Sequence, residues 1–280
     1  MPSWVEVKRG DAPLIVSMPH AGIELAPEMD RQVVSTWLAR KDTDWHIEKL
    51  YDFAPGLGAT VVRMLLSRTV IDVNRDPSGA SLYPGQATTE LCPTTTFDGE
   101  PLYRSGLEPK KAEISRRRAA YFDPYHAVLN EEIARLRARH RKVVLYEAHS
   151  IRSFVPRLFS GQLPDFNIGT NDGQSCDGAL TFVVERICDA SGFFRVTNGR
   201  FKGGWTTRHY GIPAEGVHAI QMELSCRCYL HEPDEEHWGS GVPRYDRDNW
   251  PPAYDEQHAA PIRVVLPSIL RACIGFASDT

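Results

Sequence analysis

The stretch Val143-Val144-Leu145-Tyr146-Glu147-Ala148-His149-Ser150 is the part of the sequence that decides the fold class. Its apolar, β-branched start follows a long charged helical pattern, and such a continuous apolar run is typical of a fully buried strand. The strand is expected to end at Glu147 and His149. In open α/β sheets the ligand site lies just beyond the carboxyl ends of the strands, so both side chains are placed where chemistry usually occurs. A satisfied, partly buried histidine at a strand end is the ordinary alternative.

Length and composition are those of an ordinary globular protein, with 280 residues of which 42% are hydrophobic and 24% charged. We predict one domain spanning residues 1–280, because no linker-like stretch divides the chain. The net charge of −4 provides no basic field for nucleic acid or a membrane surface, and no apolar run approaches the ~20 residues that span a bilayer. Six cysteines without a CxxC pair, and an N-terminus without a signal pattern, favour a cytoplasmic protein with reduced thiols.

Strand and helix patterns alternate along the rest of the chain, which predicts an α/β fold with helices on both sides of a mixed sheet. Two polar segments, 79–108 and 232–257, are predicted to be irregular, and loops of such length in a compact domain are usually functional or mobile. Further strands are predicted within 14–18, 58–62, 69–75, 163–170, 195–196 and 217–225, and helices within 28–54 (in two pieces), 110–140, 180–190 and 260–276.

Four predicted strand ends carry polar side chains, namely His20, Asn74-Arg75, His149 and Glu223. Two histidines and a carboxylate form a catalytic zinc set that leaves a fourth position open for water. A further glutamate can take the proton of that water, and an arginine can hold an anionic substrate. Each residue also has an ordinary interpretation, such as a turn histidine at His20 or an outward-facing glutamate on an edge strand at Glu223. Without an HExxH pattern, the spacing alone is a weak signal.

Several longer motifs resemble those of the N-formylglutamate amidohydrolase family, over about residues 12 to 230. That family is similar to the zinc carboxypeptidases and aspartoacylase, so the resemblance implies a phosphorylase/hydrolase-like, three-layer α/β/α fold. It also implies zinc-dependent hydrolysis of N-formyl-L-glutamate to L-glutamate and formate, a step of histidine degradation. The motifs are Ser17-Met18-Pro19-His20-Ala21-Gly22, Asp42-Thr43-Asp44-Trp45-His46, Val70-Ile71-Asp72-Val73-Asn74-Arg75, Ala148-His149-Ser150-Ile151-Arg152-Ser153, Gly199-Arg200-Phe201-Lys202-Gly203-Gly204 and Thr207-Arg208-His209-Tyr210-Gly211.

By position, His20 and His149 resemble the two histidine ligands of one Zn²⁺ per chain, although another divalent metal is an alternative. The carboxypeptidase pattern HxxE is not kept, because Ile23 stands three places after His20. The third ligand is therefore predicted to be Asp44. The alternatives for this ligand are Glu24 and His46.

The remaining roles concern catalysis and a small anionic substrate. Glu223 resembles the general base and Arg68 the oxyanion arginine. Asn74 and Arg75 resemble a clamp for the α-carboxylate. The candidates for the second substrate carboxylate are Arg152, Lys202 and Arg208.

Two rival functions fit the same residues. One is a zinc amidohydrolase or carboxypeptidase-like enzyme acting on another N-acyl amino acid or a small peptide. The other is a non-catalytic amino-acid-binding protein with structural histidines. A panel of N-acyl substrates distinguishes the first rival, and metal analysis distinguishes the second.

Overall fold

A seven-stranded mixed sheet lies at the centre of the protein. The computed structural model describes residues 2–82, 84–233, 238–239 and 241–278. In chain order the strands of this sheet are β1 (Val5–Lys8), β2 (Leu14–Met18), β3 (Thr60–Met64), β4 (Val143–Ile151), β5 (Phe166–Gly169), β6 (Arg195–Thr197) and β7 (Val217–Ser225).

The strand order is β1-β3-β2-β4-β7-β5-β6. The four inner strands β3, β2, β4 and β7 run parallel, so their carboxyl ends meet at one edge of the sheet. On the flanks, β1 pairs antiparallel with β3, and β5 pairs antiparallel with β7. This mixed sheet confirms the predicted fold class.

Seven helices accompany the sheet in the described part of the chain. A π-helical turn (Arg118–Phe122) joins the third helix to the fourth, so the predicted helix 110–140 is continuous. A separate two-stranded sheet is formed by β8 (Trp238–Gly239) and β9 (Val242–Pro243). The helices are α1 (Met29–Gln32), α2 (Ile47–Leu50), α3 (Lys111–Arg117), α4 (Asp123–Arg137), α5 (Gly178–Asp189), α6 (Trp205–Tyr210) and α7 (Glu256–Ser278).

The two faces of β4 show how the layers form. Side chains alternate across a strand, so Val144, Tyr146 and Ala148 enter the core under α5 and α7, while Val143 and Leu145 enter the core under α3 and α4. Both faces are covered by helices, which explains why this strand is apolar without interruption at its start. The result is a three-layer α/β/α arrangement.

Two predictions about local structure were wrong. Segment 69–75, predicted as a strand, forms turns, and segment 28–54 contains only single helical turns. Side chains of α3 and α4 occupy backbone acceptors of segment 69–75. Arg117 Nη1 donates to the Val70 carbonyl at 3.0 Å, and His126 Nε2 donates to the Val73 carbonyl at 2.8 Å. The β-branched residues of this segment therefore enter the core from an irregular backbone, which strand propensity cannot reveal.

Helix α7 is the one helix in the described residues that is long and apolar enough to cross a membrane by length and composition, with a mean hydropathy of 1.5. Its buried side chains, among them Ile262, Leu266, Ile269 and Cys273, belong to the core on one face of the sheet. This packing accounts for the apolar composition of the helix. All six cysteines of the chain are buried and form no disulfide.

Candidate active site

Strands β4 and β7 bring four polar side chains to one face of the sheet. Their parallel register places His149 opposite Glu223 and Glu147 opposite Gln221, and all four are buried. They lie two residues apart on each strand, so they share the face that carries α3 and α4. Strand β4 extends further than predicted, so Glu147 and His149 lie within it and not beyond its end, while β7 covers residues 217–225 as predicted.

Residues from two loops complete the group. His20 follows β2, and the Asp44 amide donates to the His20 carbonyl at 3.0 Å, which links the two loops. Asp44 Oδ2 lies 3.2 Å from His149 Nδ1 and 3.8 Å from His20 Nδ1, and the two imidazole rings are 4.9 Å apart between centroids. One ligand atom from each of the three lies within 4.8 Å of the others.

The far nitrogen of each imidazole is held by another side chain. His20 Nε2 lies 2.7 Å from Asp72 Oδ1, while His149 Nε2 lies 3.2 Å from Asn74 Nδ2 and 3.4 Å from Glu147 Oε2. Partners of this kind fix the ring orientation of metal-binding histidines. Both Nδ1 atoms therefore face the Asp44 carboxylate.

Asp72 contacts several of these residues, although the sequence analysis assigned it no role beyond its place in a motif. Its carboxylate accepts hydrogen bonds from Arg68 Nη2 at 2.6 Å and from the backbone amide of Asn74 at 2.9 Å. It also lies 3.7 Å from Arg75 Nε. Burial opposes its charge, but His20 and the two guanidinium groups hold the pKa of Asp72 well below its usual range. A buried carboxylate two residues before Asn74-Arg75 was the signal that could have identified it.

The three carboxyl and imidazole groups fit a divalent metal ion. A tetrahedral ion with bonds of ~2.0–2.1 Å separates its ligand atoms by about 3.4 Å, and the 3.2 and 3.8 Å distances to Asp44 Oδ2 bracket that value. Both side-chain oxygens of Glu147 are buried, and neither accepts a hydrogen bond of normal geometry from the described part of the chain. A cation on Nδ1 of His149 would put the ring hydrogen on Nε2, where Glu147 would accept it in place of the contact with the Asn74 Nδ2 donor.

The electrostatics of the site also favour a cation. Burial lowers the pKa of His149, but the Asp44 and Glu147 carboxylates that its ring nitrogens face, together with the charge of Glu223, prevail and raise it to about 10. Burial and the charge of Arg68 lower the pKa of His20 to about 4. The anionic field that holds a proton on His149 would equally attract a metal ion, which competes with that proton.

Glu223 lies beside this group, opposite His149 in the register of β4 and β7. Burial raises the pKa of Glu223 to about 7, although the His149 charge opposes the shift. Gln221 Nε2 donates to Glu223 Oε2 at 3.2 Å, and the orientation of the Gln221 amide is set by the Gly204 amide, which donates to Gln221 Oε1 at 2.7 Å. A carboxylate with a pKa near neutrality is suited to general acid–base catalysis.

A glycine is also required at position 204 for steric reasons. A Cβ at this position would lie 2.4 Å from both terminal atoms of Asn74, whose Oδ1 accepts from the Thr206 amide at 2.9 Å. The Asn74 amide nitrogen is thereby turned toward His149. The glycine-rich motif therefore fixes the orientation of the Asn74 side chain.

A cavity opens beside these groups. Three arginines line it, namely Arg68, Arg75 and Arg200, and so do Ala87, Thr88, Thr89 and Phe97 of the predicted loop 79–108. The loop is thus part of the cavity wall. The other lining residues are His20, Asn74, His149, Ser150, Ile151, Leu158, Phe201, Gly204, Gln221 and Glu223. The second predicted loop, 232–257, lies partly outside the described residues.

Three predicted cations lie outside this lining. Arg152 donates to Asp42 Oδ1 at 2.9 Å and Asp98 Oδ2 at 2.8 Å. Lys202 pairs with Asp172 at 3.0 Å, and Arg208 Nε donates to the Gly203 carbonyl at 3.0 Å. Arg200, which does line the cavity, was not selected from the sequence, because its motif offered several cations and no rule to choose among them.

The two alternatives for the third ligand lie apart from the group. The Glu24 side chain is exposed, and its backbone bridges to Leu66. His46 Nε2 lies 3.1 Å from the Pro252 carbonyl. Of the three candidates, the structure groups Asp44 with the two histidines.

A buried His-Asp-His group beside a glutamate, at the carboxyl edge of a parallel sheet, is the arrangement of a metal-dependent hydrolase. The family model described as N-formylglutamate amidohydrolase matches residues 12–230. The chain belongs to the N-formylglutamate amidohydrolase family, and the resemblance in its motifs is confirmed.

Named relatives support the same assignment. The chain is 50% identical over 233 residues to an N-formylglutamate deformylase of Pseudomonas aeruginosa, covering 83% of this chain and 87% of the relative. It is 44% identical over 272 residues to an N-formylglutamate deformylase of Pseudomonas putida, covering 97% and 96%.

Two solved structures share the fold. A crystal structure of N-formylglutamate amidohydrolase from Ralstonia eutropha JMP134 matches with a TM-score of 0.75 and 23% identity, covering 98% of each chain. The gene product Atu2144 from Agrobacterium tumefaciens matches with a TM-score of 0.68 and 18% identity, covering 97% of this chain and 95% of the other. At these identities the likeness concerns the fold.

Proposed function

We propose that this protein hydrolyses N-formyl-L-glutamate to L-glutamate and formate, with one zinc ion held by His20, Asp44 and His149. The observation that carries the proposal is the pairing of His149 with Glu223 across β4 and β7, which sets a base beside a buried metal-ligand group. The names of relatives at 44–50% identity support the same substrate. A cytoplasmic location agrees with six buried cysteines that form no disulfide.

When bound, the ion supplies a Lewis acid that polarises the formyl oxygen and acidifies water. Glu223 takes a proton from the attacking water and returns it to the amine nitrogen as the carbon–nitrogen bond breaks. Arg68 stabilises the oxyanion, because it lines the cavity and its buried Nε has no hydrogen-bond partner among the residues that the structure describes. Asn74 and Arg75 orient the α-carboxylate, and a guanidinium fork suits that group.

The experiment combines formate release, metal analysis and a base variant. The wild-type protein is expected to contain about one zinc per chain and to release formate from N-formyl-L-glutamate. The Glu223→Gln variant should keep its metal and lose at least about 100-fold in kcat, because the glutamine cannot accept the proton. Glu215→Gln serves as the matched control, because Glu215 is exposed and precedes the amino-terminal end of β7, whereas Glu223 lies near the carboxyl end.

Two results would overturn parts of this proposal. Metal-loaded wild-type protein that releases no formate from N-formyl-L-glutamate removes the proposed substrate. Near-normal turnover of metal-loaded Glu223→Gln removes Glu223 as the base and leaves the substrate assignment standing.

A further inference from the structure

A substrate with two carboxylates needs a cation at each end. Among the described residues, the arginines that line the cavity are Arg68, Arg75 and Arg200. Arg68 and Arg75 both lie near the Asp72 carboxylate, at 2.6 and 3.7 Å, so they belong to the end of the cavity that carries the metal ligands. Arg200 reaches the cavity from the glycine-rich segment between β6 and α6, and its guanidinium contacts the Leu158 and Ala87 carbonyls.

Arg200 is fixed in place by backbone oxygens. Its Nε donates to the Leu158 carbonyl at 2.7 Å and its Nη2 donates to the Ala87 carbonyl at 2.9 Å. A guanidinium held in this way loses little rotamer entropy when it receives a ligand. The side chain is therefore pre-organised at the cavity wall.

Arg75 and Arg200 hold the same short piece of chain. Arg75 Nε donates to the Thr89 carbonyl at 3.2 Å, two residues from the carbonyl that Arg200 contacts. Two residues of chain extend at most about 7 Å, and each donor nitrogen lies about 3 Å from its carbonyl, so the two donors are at most about 13 Å apart. The carboxyl carbons of glutamate are four bonds apart, about 5 Å when extended, and a hydrogen bond of about 3 Å is added at each end, so one glutamate can meet both arginines within this limit.

The wall near Arg200 suits a methylene chain. Leu158, Phe201 and Ile151 line the cavity beside it, and the Arg200 guanidinium lies 5.4 Å from the centre of the Phe201 ring. Apolar neighbours lower the local dielectric and strengthen a charged contact. This wall can cover the two methylenes of glutamate while the side-chain carboxylate of glutamate meets the Arg200 guanidinium.

We propose that Arg200 binds the side-chain carboxylate of the substrate and so selects N-formylated dicarboxylic amino acids over neutral ones. The inference rests on the proposed function, and it assigns a contact for which the sequence offered Arg152, Lys202 and Arg208. Arg152 is engaged with two aspartates, and Lys202 and Arg208 lie outside the cavity lining.

The test compares two substrates that differ in one charge, N-formyl-L-glutamate and its neutral isostere N-formyl-L-glutamine, on metal-loaded protein. The wild-type protein should prefer the acid by kcat/KM. Arg200→Gln should lower kcat/KM for the acid by about 100-fold, mainly through KM, and leave the value for the amide within a few-fold, because only the acid loses a charged partner. Arg200→Lys should restore part of the preference, since it keeps the charge without the fork.

Arg186→Gln is the matched control, because Arg186 is exposed on α5 and lies outside the cavity lining, and it should preserve the preference. Equal losses on both substrates in Arg200→Gln would mean that Arg200 only supports the cavity wall, and would overturn the inference while the proposed function stands. Collapse of the preference in Lys202→Gln but not in Arg200→Gln would also overturn it. If the wild-type protein hydrolyses neither substrate, the proposed function fails first.

Discussion

The two halves of the candidate site are held in place by different physics. His149 and Glu223 lie on adjacent nine-residue strands whose continuous backbone register fixes their separation. His20, Asp44 and segment 68–75 lie on irregular backbone, and side chains hold them through buried ion pairs and hydrogen bonds. We call these the strand half and the loop half.

The difference teaches where the site is fragile. A backbone ladder is shared among many hydrogen bonds, so a single side-chain substitution leaves the register intact. A buried ion pair depends on two partners, and removing one leaves the other charged and desolvated. Substitutions in the loop half should therefore disturb the site without affecting the sheet.

The largest effect is expected at Arg152, which joins Asp42, two residues before Asp44, to Asp98, next to Phe97 of the cavity wall. Arg152 is 3% exposed. Arg152→Leu should lower the free energy of unfolding by about 3 kcal/mol, because two aspartates lose a buried partner. Urea denaturation measures the change.

The control for this prediction is Arg118→Leu, which breaks an exposed pair with Asp123 and should cost less than about 1 kcal/mol. If the two variants lose similar stability, the loop half does not depend on its buried charges, and the contrast between the halves is broken.

A second prediction tests Asp72 as the support of His20. Asp72→Asn should weaken zinc binding by about 10- to 100-fold, because the hydrogen bond from His20 Nε2 meets a poorer acceptor and the ring loses its fixed orientation. Competition with a chromophoric chelator measures the affinity. Asp30→Asn, at an exposed position of α1, should leave the affinity unchanged. An unaltered affinity in Asp72→Asn would show that the ring is held by other contacts.

The smallest expected effect depends on pH and concerns His126, which holds the loop half at Val73 from α4. Burial lowers the pKa of His126 to about 3 from the ordinary 6.5. Below pH 6.5 the unfolded chain binds a proton that the folded chain does not bind until about pH 3, so acid favours unfolding in this window. The stabilisation that neutral, buried His126 contributes is therefore fully present above pH 6.5 and is lost as the pH falls toward 3.

Between pH 7.5 and pH 5, wild-type protein should lose about 2 kcal/mol more stability than His126→Gln, which cannot titrate. The comparison of slopes cancels the other titrating groups, which both proteins share. Equal slopes in urea denaturation at the two pH values would mean that His126 accepts a proton in the folded state.

The sequence was more informative about the strand half than about the loop half. The apolar run before Glu147 and the strand around Glu223 could be recognised from local pattern, because each strand is buried along its length. Segment 69–75 has the same β-branched composition but forms turns, because contacts from α3 and α4, 40 residues or more away, determine its backbone. Local propensity contains no information about such contacts.

The same limit applies to the arginines. Arg152, Lys202 and Arg208 stand in the motifs just as Arg200 does. Only the tertiary fold determines which of these cations lines the cavity. Asp72 was quoted within a motif without a role, because its partners are His20 and Arg68, which arrive from other elements. A role that follows from a residue's own type and its place at a strand end could be predicted from the sequence. A role that depends on contact with a residue from another element could not.

The crossover from β4 to β7 covers residues 152–216 and contributes Arg200, Phe201 and Gly204 to the cavity wall. Insertions or deletions within it cannot change the spacing of His149 and Glu223, since that spacing belongs to the sheet. The proposed base and the proposed contact for the side-chain carboxylate thus lie in different parts of the chain. We therefore expect that the part of this crossover around Arg200 can change to fit another acyl amino acid, provided that Gly204, which holds Asn74 and Gln221, is kept.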